Sequence, residues 1–179
     1  MRIAVYGGSF NPPHVGHAMV AAWLRWVDLV DEVWLLPTFA HPFDKNDLAP
    51  FDRRCRLCEG LARAVGPWVR VETIERDLPA PSYTIDTLEA LSVRTPHGRF
   101  RLVVGADVVP TSHLWKDWDR IEADFTPIVV GRQGYRSPEE GILFPGVSST
   151  EIRARVGRGA PVEHLVPREV LREMTGLYR

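Results

Sequence analysis

The segment GGSFNPPHVGH, from Gly7 to His17, decides the fold, because it directly follows the apolar run RIAVY and then leads into a helical pattern. Glycines after a strand let the backbone approach a phosphate closely, and the unpaired N–H groups at the start of the next helix favour an anion. Pro12 and Pro13 fix the turn and donate no backbone hydrogen bond. The segment therefore predicts a β-strand, an anion-binding turn and an α-helix in succession.

Two histidines stand in this segment. His14 and His17 are three positions apart, which places both imidazoles on one side of the first helical turn. They can act as a metal-binding pair or as hydrogen-bond donors to phosphate. A helical zinc pair usually stands four apart with a glutamate between, and no third ligand is evident, so phosphate donation is favoured. A simple strand-to-helix turn would explain the glycines and prolines but neither imidazole.

Short β-rich runs alternate with helical runs along the whole chain, which is typical of a parallel sheet wrapped by helices. Strands are predicted at Arg2–Tyr6, Glu32–Pro37, Val69–Thr73, Phe100–Gly105, Pro127–Gly131 and, for a short one, Ile142–Phe144. Helices are predicted at Gly16–Leu29, Asp52–Ala64 and Ile85–Thr95, in the segment EIRARV that follows Ser-Ser-Thr, and in EVLREM after Pro167. The predicted fold class is α/β: a Rossmann-like, doubly wound parallel sheet of five or six strands with a small C-terminal helical part. Residues 1–179 are expected to form a single domain.

Composition limits the possible partners. The 179 residues carry 22 Lys and Arg against 23 Asp and Glu, a net charge of −1, so the field expected of a nucleic-acid or anionic-membrane binder is missing. The apolar run before Gly7 is too short for a signal peptide, and no apolar stretch of about 18 residues occurs. We expect a cytoplasmic protein, a monomer or weak homo-oligomer, that binds small molecules and neither nucleic acid nor membranes.

The two cysteines carry a weaker signal. Cys55 and Cys58 lie in RRCRLCEG, which has a helical pattern, and no second Cys or His pair stands at zinc-finger spacing. A redox or zinc module is the alternative to two reduced thiols near a helix face, and the second interpretation is favoured.

Ligands of an open parallel sheet bind beyond the carboxyl ends of its strands. This rule selects Gly7–His17, Thr38–Lys45, Gly105–Trp118 and Arg132. The proline-rich stretch His41–Pro50 is interpreted as an active-site loop rather than as a domain boundary.

A second candidate anion site is VSSTEIRARV, from Val147 to Val156. Ser148, Ser149 and Thr150 supply hydroxyls and amides at a helix start, and the guanidinium of Arg153 can fork onto a phosphate from the first turn. An ordinary capped helix with a solvated arginine is the alternative. The presence of the glycine and histidine segment favours phosphate binding.

These motifs resemble those of a known superfamily. GGSFNPPHVGH resembles the G-G-T/S-F-D/N-P-x-H-x-G-H signature of nucleotidyltransferases, and VSSTEIR resembles the I-S-S-T-x-I-R element of the members that transfer AMP. PSYTIDTL, VGADVV, WKDWDRI, VVGRQGY and the terminal HLVPREVLREMTGLY together resemble the nicotinate mononucleotide adenylyltransferase family. The resemblance covers nearly the whole chain in order, and it implies a single nucleotidyltransferase domain.

The resemblance also implies a reaction and its residues. AMP would pass from ATP, which carries Mg²⁺, to nicotinate mononucleotide, with no metal held by the protein. The implied catalytic residues are His14, His17, Lys45 and Arg153. The implied ATP-binding residues are Gly7, Gly8, Ser9, Phe10, His14, His17, Gly105, Asp107, Arg132, Ser148, Ser149, Thr150 and Arg153. The implied mononucleotide-binding residues are Ser9, Lys45, Tyr83, Thr84, Asp107 and Trp115. Trp118 is the alternative to Trp115 as the residue that stacks on the pyridine ring.

The chain departs from the family pattern at three places. Relatives often show P-P-H-K where this chain has AHPFDK, so Lys45 keeps a cation in the loop and His41 lies four positions before it. Gln133 stands where proline is usual, and the connection from Tyr135 to Ser148 is short. Alternative functions are adenylyl transfer to nicotinamide mononucleotide or phosphopantetheine, or an inactive nucleotide-binding regulator.

Overall fold

The computed structural model describes residues 1–40, 47–132 and 142–178. Within these residues six strands form a sheet in which all neighbours are parallel, in the order β3-β2-β1-β4-β5-β6. The strands are β1 (Arg2–Gly8), β2 (Glu32–Pro37), β3 (Val69–Val71), β4 (Arg99–Gly105), β5 (Ile128–Arg132) and β6 (Leu143–Phe144). This order confirms the predicted Rossmann-like, doubly wound α/β fold.

Helices follow most of the strands. In the described part of the chain they are α1 (Val15–Trp26), α2 (Phe51–Val65), α3 (Thr84–Arg94), α4 (Trp118–Phe125), α5 (Ser149–Gly157) and α6 (Arg168–Glu173). Two 3₁₀ segments, Ile74–Asp77 and Val109–Leu114, lie in the connections before α3 and α4.

The central strand β1 separates two apolar layers. Ala4 points into a cluster built with α1, α2, α5 and α6, whereas Ile3 and Val5 point into a second cluster built with α3 and α4. All three side chains are completely buried. The alternation follows from the two-residue period of a strand, and burial on both faces is why β1 is a continuous apolar run.

The ends of the first strand and first helix differ from the sequence interpretation. That interpretation places Gly7 and Gly8 after the strand, and this is wrong: both belong to β1, where they stand in register with Leu36 and Pro37 of β2. β1 extends through both glycines because β2 continues beside them. Glycine has a backbone N–H and a carbonyl oxygen like other residues, so it can take part in the hydrogen bonds between strands. The first helix ends at Trp26 rather than at residue 29.

The C-terminal helical part packs on α2. A Cβ atom at Gly60 would lie 3.0 Å from the carbonyl oxygen of Glu169, so this close approach of α2 and α6 requires glycine. The guanidinium of Arg53 donates to the carbonyl oxygens of Glu173 (3.2 Å) and Thr175 (3.0 Å). The last segment of the chain is therefore fixed to the first turn of α2.

Membrane-spanning helices and clusters of metal ligands are both absent from the described ranges. No helix there combines the length and apolar character needed to cross a membrane. No three His, Cys, Asp or Glu side chains of these ranges converge as metal ligands. Cys55 and Cys58 are buried free thiols on α2, and burial raises the pKa of each thiol.

Candidate active site

The crevice at the carboxyl ends of β1 and β4 is the point where the winding of the sheet reverses. The two strands are neighbours, but α1 packs on one face of the sheet after β1 and α4 packs on the other face after β4. In doubly wound folds this reversal opens a crevice in which ligands bind.

Two cavities open at this crevice. The first, here called the α1-side cavity, has a volume of about 200 Å³, and the second, the α3-side cavity, has about 440 Å³. Predicted residues that line the α1-side cavity are His14, His17, Gly105 and Asp107. Predicted residues that line the α3-side cavity are Gly7, Gly8, Ser9, Tyr83, Thr84 and Trp115. Val108 lines both, so the cavities adjoin.

The two histidines lie at the start of α1. His14 is the N-cap residue and His17 the third residue of the helix, and their ring centroids are 3.8 Å apart. The backbone N–H of His14 donates to Nδ1 of His17 over 3.2 Å. Because Nδ1 accepts this bond, the ring proton of His17 lies on Nε2, which makes Nε2 a donor. With no acidic residue in the first turn, the helix start is well suited to an anion.

The start of α5 lies against the segment before α1. Ser149 Oγ donates to the carbonyl oxygen of Pro12 over 2.8 Å, and Arg153 Nη1 donates to the carbonyl oxygen of Asn11 over 2.8 Å. Arg153 Nη2 forms an ion pair with Asp47 Oδ2 at 2.7 Å. The two predicted anion-binding segments are therefore joined by direct hydrogen bonds.

At the end of β4, Gly105 lies against the side chain of Asp107. The carboxylate of Asp107 occupies the space that a Cβ at Gly105 would take, so no other residue fits there without displacing the carboxylate. Asp107 is itself exposed toward the α1-side cavity. A carboxylate at this place can accept hydrogen bonds from hydroxyl groups of a ligand.

Two tryptophans stand near the α3-side cavity in different positions. The indole of Trp115 lines the cavity, whereas Trp118 packs edge-on against Trp115 with ring centroids 5.6 Å apart and planes at 83°. The ammonium of Lys116, which pairs with Asp86 at 2.7 Å, lies 5.1 Å from the ring centroid of Tyr83. Of these two tryptophans, Trp115 is the one that lines the cavity.

A family model described as cytidylyltransferase-like matches residues 5–155, which is most of the chain. The chain belongs to the cytidylyltransferase-like family. Its relatives include a protein of Anaeromyxobacter sp. (strain K), 50% identical over 183 residues that cover 99% of this chain and 97% of that protein. A protein of Thermus thermophilus is 38% identical over 188 residues that cover 100% of both chains. Both carry the name "Probable nicotinate-nucleotide adenylyltransferase".

Two solved structures have folds similar to the fold of this chain. Nicotinic acid mononucleotide adenylyltransferase of Plasmodium falciparum complexed with NaAD has a TM-score of 0.76 and 15% identity, and covers 99% of this chain and 97% of that one. The same protein complexed with APC has a TM-score of 0.75 and 16% identity, with coverage of 99% and 96%. At this identity the likeness shows the fold.

Sequence reasoning missed Arg54, a residue of α2 that is only 2% exposed. Its guanidinium donates to three backbone carbonyl oxygens, those of Ala49 (2.9 Å), Ser9 (3.0 Å) and Thr38 (2.7 Å). Burial lowers the pKa of Arg54. The side chain thus holds together the loops that follow β1 and β2.

Glu75 was also missed. Its carboxylate, 4% exposed, lines the α3-side cavity and accepts the backbone N–H of Phe39 at 2.8 Å. Thr87 Oγ1 lies 3.4 Å from the other oxygen. Burial raises the pKa of Glu75, and the hydrogen bonds that it accepts oppose this effect. Glu75 connects the loop after β2 to α3.

Other predicted residues take different positions. Phe10 is buried at 2% exposure, and its ring centroid lies 5.0 Å from that of His17 and 5.8 Å from that of Tyr6, so it supports the histidine from the core. Ser148 is the N-cap of α5, and Thr150 is exposed in its first turn.

Some of the residues named in the sequence analysis lie outside the part of the chain that the structure describes. Lys45 and His41 lie outside the described residues, as do Gln133 and Tyr135. Arg132 ends β5, and its side chain is likewise outside what the structure describes. The roles of Lys45 and Arg132 stay predictions.

Proposed function

We propose that this chain is a nicotinate-nucleotide adenylyltransferase, which transfers AMP from ATP to nicotinate mononucleotide and forms nicotinate adenine dinucleotide and pyrophosphate. Full-length relatives at up to 50% identity carry that name. The observation that carries the proposal is the pair of adjoining cavities at the switch point, with the start of α1 beside one and Trp115 in the other. Two substrates of different shape can meet there.

ATP is proposed to occupy the α1-side cavity. Its ribose would lie at Gly105 and Asp107, and its phosphates against the start of α1 and the start of α5. At the start of α1 the backbone N–H of Val15 already donates to the carbonyl oxygen of Leu165. The attraction for phosphate there therefore comes mainly from the helix dipole and the histidine side chains, and the dipole of α5 adds to it. Nε2 of His17, the bearer of the ring proton, is a donor to the α-phosphate or the leaving group.

Nicotinate mononucleotide is proposed to occupy the α3-side cavity. The pyridine ring would stack on Trp115, and the ring carboxylate would be received by Thr84 and nearby backbone amides at the start of α3. Ser9 and Tyr83, which also line the cavity, complete the proposed site together with Lys45.

The reaction needs positioning and charge stabilisation rather than a general base. The 5′-phosphate oxygen of the mononucleotide is already an anion, and it attacks the α-phosphorus of ATP in line. One P–O bond forms while the bond to the bridging oxygen breaks, and pyrophosphate carries the electron pair away. His14, His17, Lys45 and Arg153 would stabilise the charge that spreads over the phosphates.

The setting of this reaction is proposed as follows. ATP enters as its Mg²⁺ complex, since phosphate oxygens are ligands that Mg²⁺ prefers. Residues 1–179 act as one nucleotidyltransferase domain, as a monomer or weak homo-oligomer. Both substrates are anions that do not cross membranes freely, which favours a cytoplasmic enzyme.

The experiment is a pyrophosphate-release assay with MgATP and three acceptors side by side: nicotinate mononucleotide, nicotinamide mononucleotide and phosphopantetheine. Nicotinate mononucleotide should give the highest kcat/KM, at least about tenfold above the nicotinamide compound, because sites built for a polar group discriminate strongly. Turnover of phosphopantetheine alone would contradict the proposal. Tight ATP binding without pyrophosphate release from any acceptor would indicate a regulator.

A further inference from the structure

Asn11 connects three distant parts of the chain. Its side chain is 1% exposed, and Oδ1 accepts hydrogen bonds from the backbone N–H of Ala49 (3.1 Å) and from the hydroxyl of Tyr178 (2.8 Å). Its Nδ2 donates to the carbonyl oxygen of Asp47 (3.1 Å). The amide side chain is therefore held from both ends.

The backbone of Asn11 contacts Arg153, one of the residues proposed to bind the ATP phosphates. Its carbonyl oxygen accepts Nη1 of Arg153 at 2.8 Å, and Nη2 of the same guanidinium pairs with Asp47 Oδ2 at 2.7 Å. Asn11, Asp47 and Arg153 thus form a closed ring of contacts. Tyr178 is the outer member, bonded to Asn11 alone in this ring.

Tyr178 reaches this place from 167 residues away. Terminal segments usually fray unless they are tied down. Here the ring of Tyr178 packs against the core cluster that is built with α1, α2, α5 and α6. Its backbone has a φ of 62°, a left-handed conformation that is unfavourable for residues other than glycine. Burial raises the pKa of Tyr178 to about 12, so the hydroxyl is a proton donor at neutral pH. An unfavourable backbone conformation is retained where it places one hydroxyl on Asn11.

We infer that Tyr178 is a positioning residue for Arg153. The hydroxyl fixes the Asn11 side chain, the fixed Asn11 keeps its carbonyl oxygen within hydrogen-bond distance of Nη1, and the guanidinium is held beside the segment that precedes α1, where the ATP phosphates are proposed to bind. The part of this inference that concerns ATP rests on the proposed function.

The first test is Tyr178→Phe, which keeps the ring and removes the hydroxyl. The kcat/KM for ATP should fall roughly three- to tenfold, the effect of one hydrogen bond. The KM for nicotinate mononucleotide should stay unchanged. The matched control is Thr175→Val, which removes a hydroxyl that, among the described residues, donates to the carbonyl oxygen of Arg172 in its own segment. Thr175→Val should leave both constants unchanged.

A double-mutant cycle separates positioning from packing. Tyr178→Phe is measured in the native background and again with Arg153→Ala, and the same four proteins are titrated with the α,β-methylene analogue of ATP. Positioning predicts that Tyr178→Phe weakens analogue binding in the native background and has no further effect without Arg153. Equal losses in both backgrounds, or no loss in either, would overturn the inference.

The analogue titration does not depend on the acceptor. If the native protein shows no turnover of nicotinate mononucleotide but the cycle still shows coupling in analogue binding, the proposed function fails and the positioning role stands. If turnover is normal and the coupling is absent, the positioning role of Tyr178 fails and the proposed function stands.

Discussion

Ser149 Oγ donates to the carbonyl oxygen of Pro12 over 2.8 Å, although 137 residues separate the two. Ser149 is the first residue of α5, and Pro12 lies two residues before the N-cap of α1. The hydrogen bond therefore brings two helix starts together. Two helix starts held close together should attract a polyphosphate more strongly than either alone.

The histidine at the third position of α1 can be tested by truncation. His17→Ala should lower kcat by about 10²- to 10³-fold, or about 3 to 4 kcal/mol, because a preorganised donor to the developing phosphate charge is lost. Pyrophosphate release measures the effect, and circular dichroism checks the fold. His97→Ala, at an exposed position after α3, is the control and should keep full activity. Full activity of His17→Ala would remove the residue from the mechanism.

The stacking assignment distinguishes two neighbouring indoles. Trp115→Ala should raise the KM for nicotinate mononucleotide by a factor that corresponds to about 1–3 kcal/mol of lost stacking, with a small effect on the KM for ATP. Trp118→Ala should change the mononucleotide KM less, because Trp118 contacts Trp115 but is not among the residues that line the α3-side cavity. The opposite order of the two KM values would assign the ring contact to Trp118.

Arg54 gives a prediction about stability. Arg54→Ala leaves three carbonyl oxygens without their shared donor, and the free energy of unfolding should fall by about 3 kcal/mol or more. Urea denaturation followed by tryptophan fluorescence measures the change. Arg56→Ala, at an exposed position on the same helix, should stay within about 0.5 kcal/mol of the native protein. Similar midpoints for the two variants would show that the buried contacts of Arg54 contribute little.

The thiols of α2 should be inert. Because both are buried and burial raises their pKa values, Cys55 and Cys58 should react with Ellman's reagent only after unfolding. The double variant with both residues replaced by Ala should retain native kcat in the pyrophosphate assay. Loss of activity with an intact fold would revive the redox or zinc interpretation.

The contact between Arg2 and Asp31 predicts a pH dependence. The side chain of Arg2 and its backbone N–H, which lies 2.7 Å from Asp31 Oδ2, lower the pKa of this carboxyl to about 2. A carboxyl with a lowered pKa stabilises the fold above its ordinary value of about 3.9, and this contribution is lost as the pH falls toward 2. Urea titrations of native protein and Asp31→Asn should differ at pH 5 and converge near pH 2.

The strands were predictable because apolar runs between turn residues have few alternatives. β2 was predicted with its observed ends, and β4 differs by one residue. α4 was not predicted: its first four residues, WDRI, were interpreted only as part of the WKDWDRI motif, and the rest was given no interpretation. Its Ile121 and Phe125 stand four apart and both are buried, so the helical period was present.

The candidate site was predictable where the chemistry is local. The histidines act within one helical turn, so their spacing alone brings the rings together. Arg54 carried a readable signal as well, since with Leu57, Cys58 and Leu61 it follows the i, i+3, i+4, i+7 pattern of a buried helix face. A cation on such a face must find acceptors. Which carbonyl oxygens it finds depends on loops far along the chain, as does the partner of Tyr178, and spacing cannot specify either.

The hydrogen bond from Arg153 to Asn11 can form only after most of the chain has been synthesised. A ribosome that adds about 5–20 residues each second needs roughly 7–30 s to make the chain between these two positions. Once β2 has been made, β1 can pair with it, but the glycine and histidine segment has no α5 against it until the interval ends. The nascent chain should therefore gain most of its sheet before it gains any capacity to retain a nucleotide.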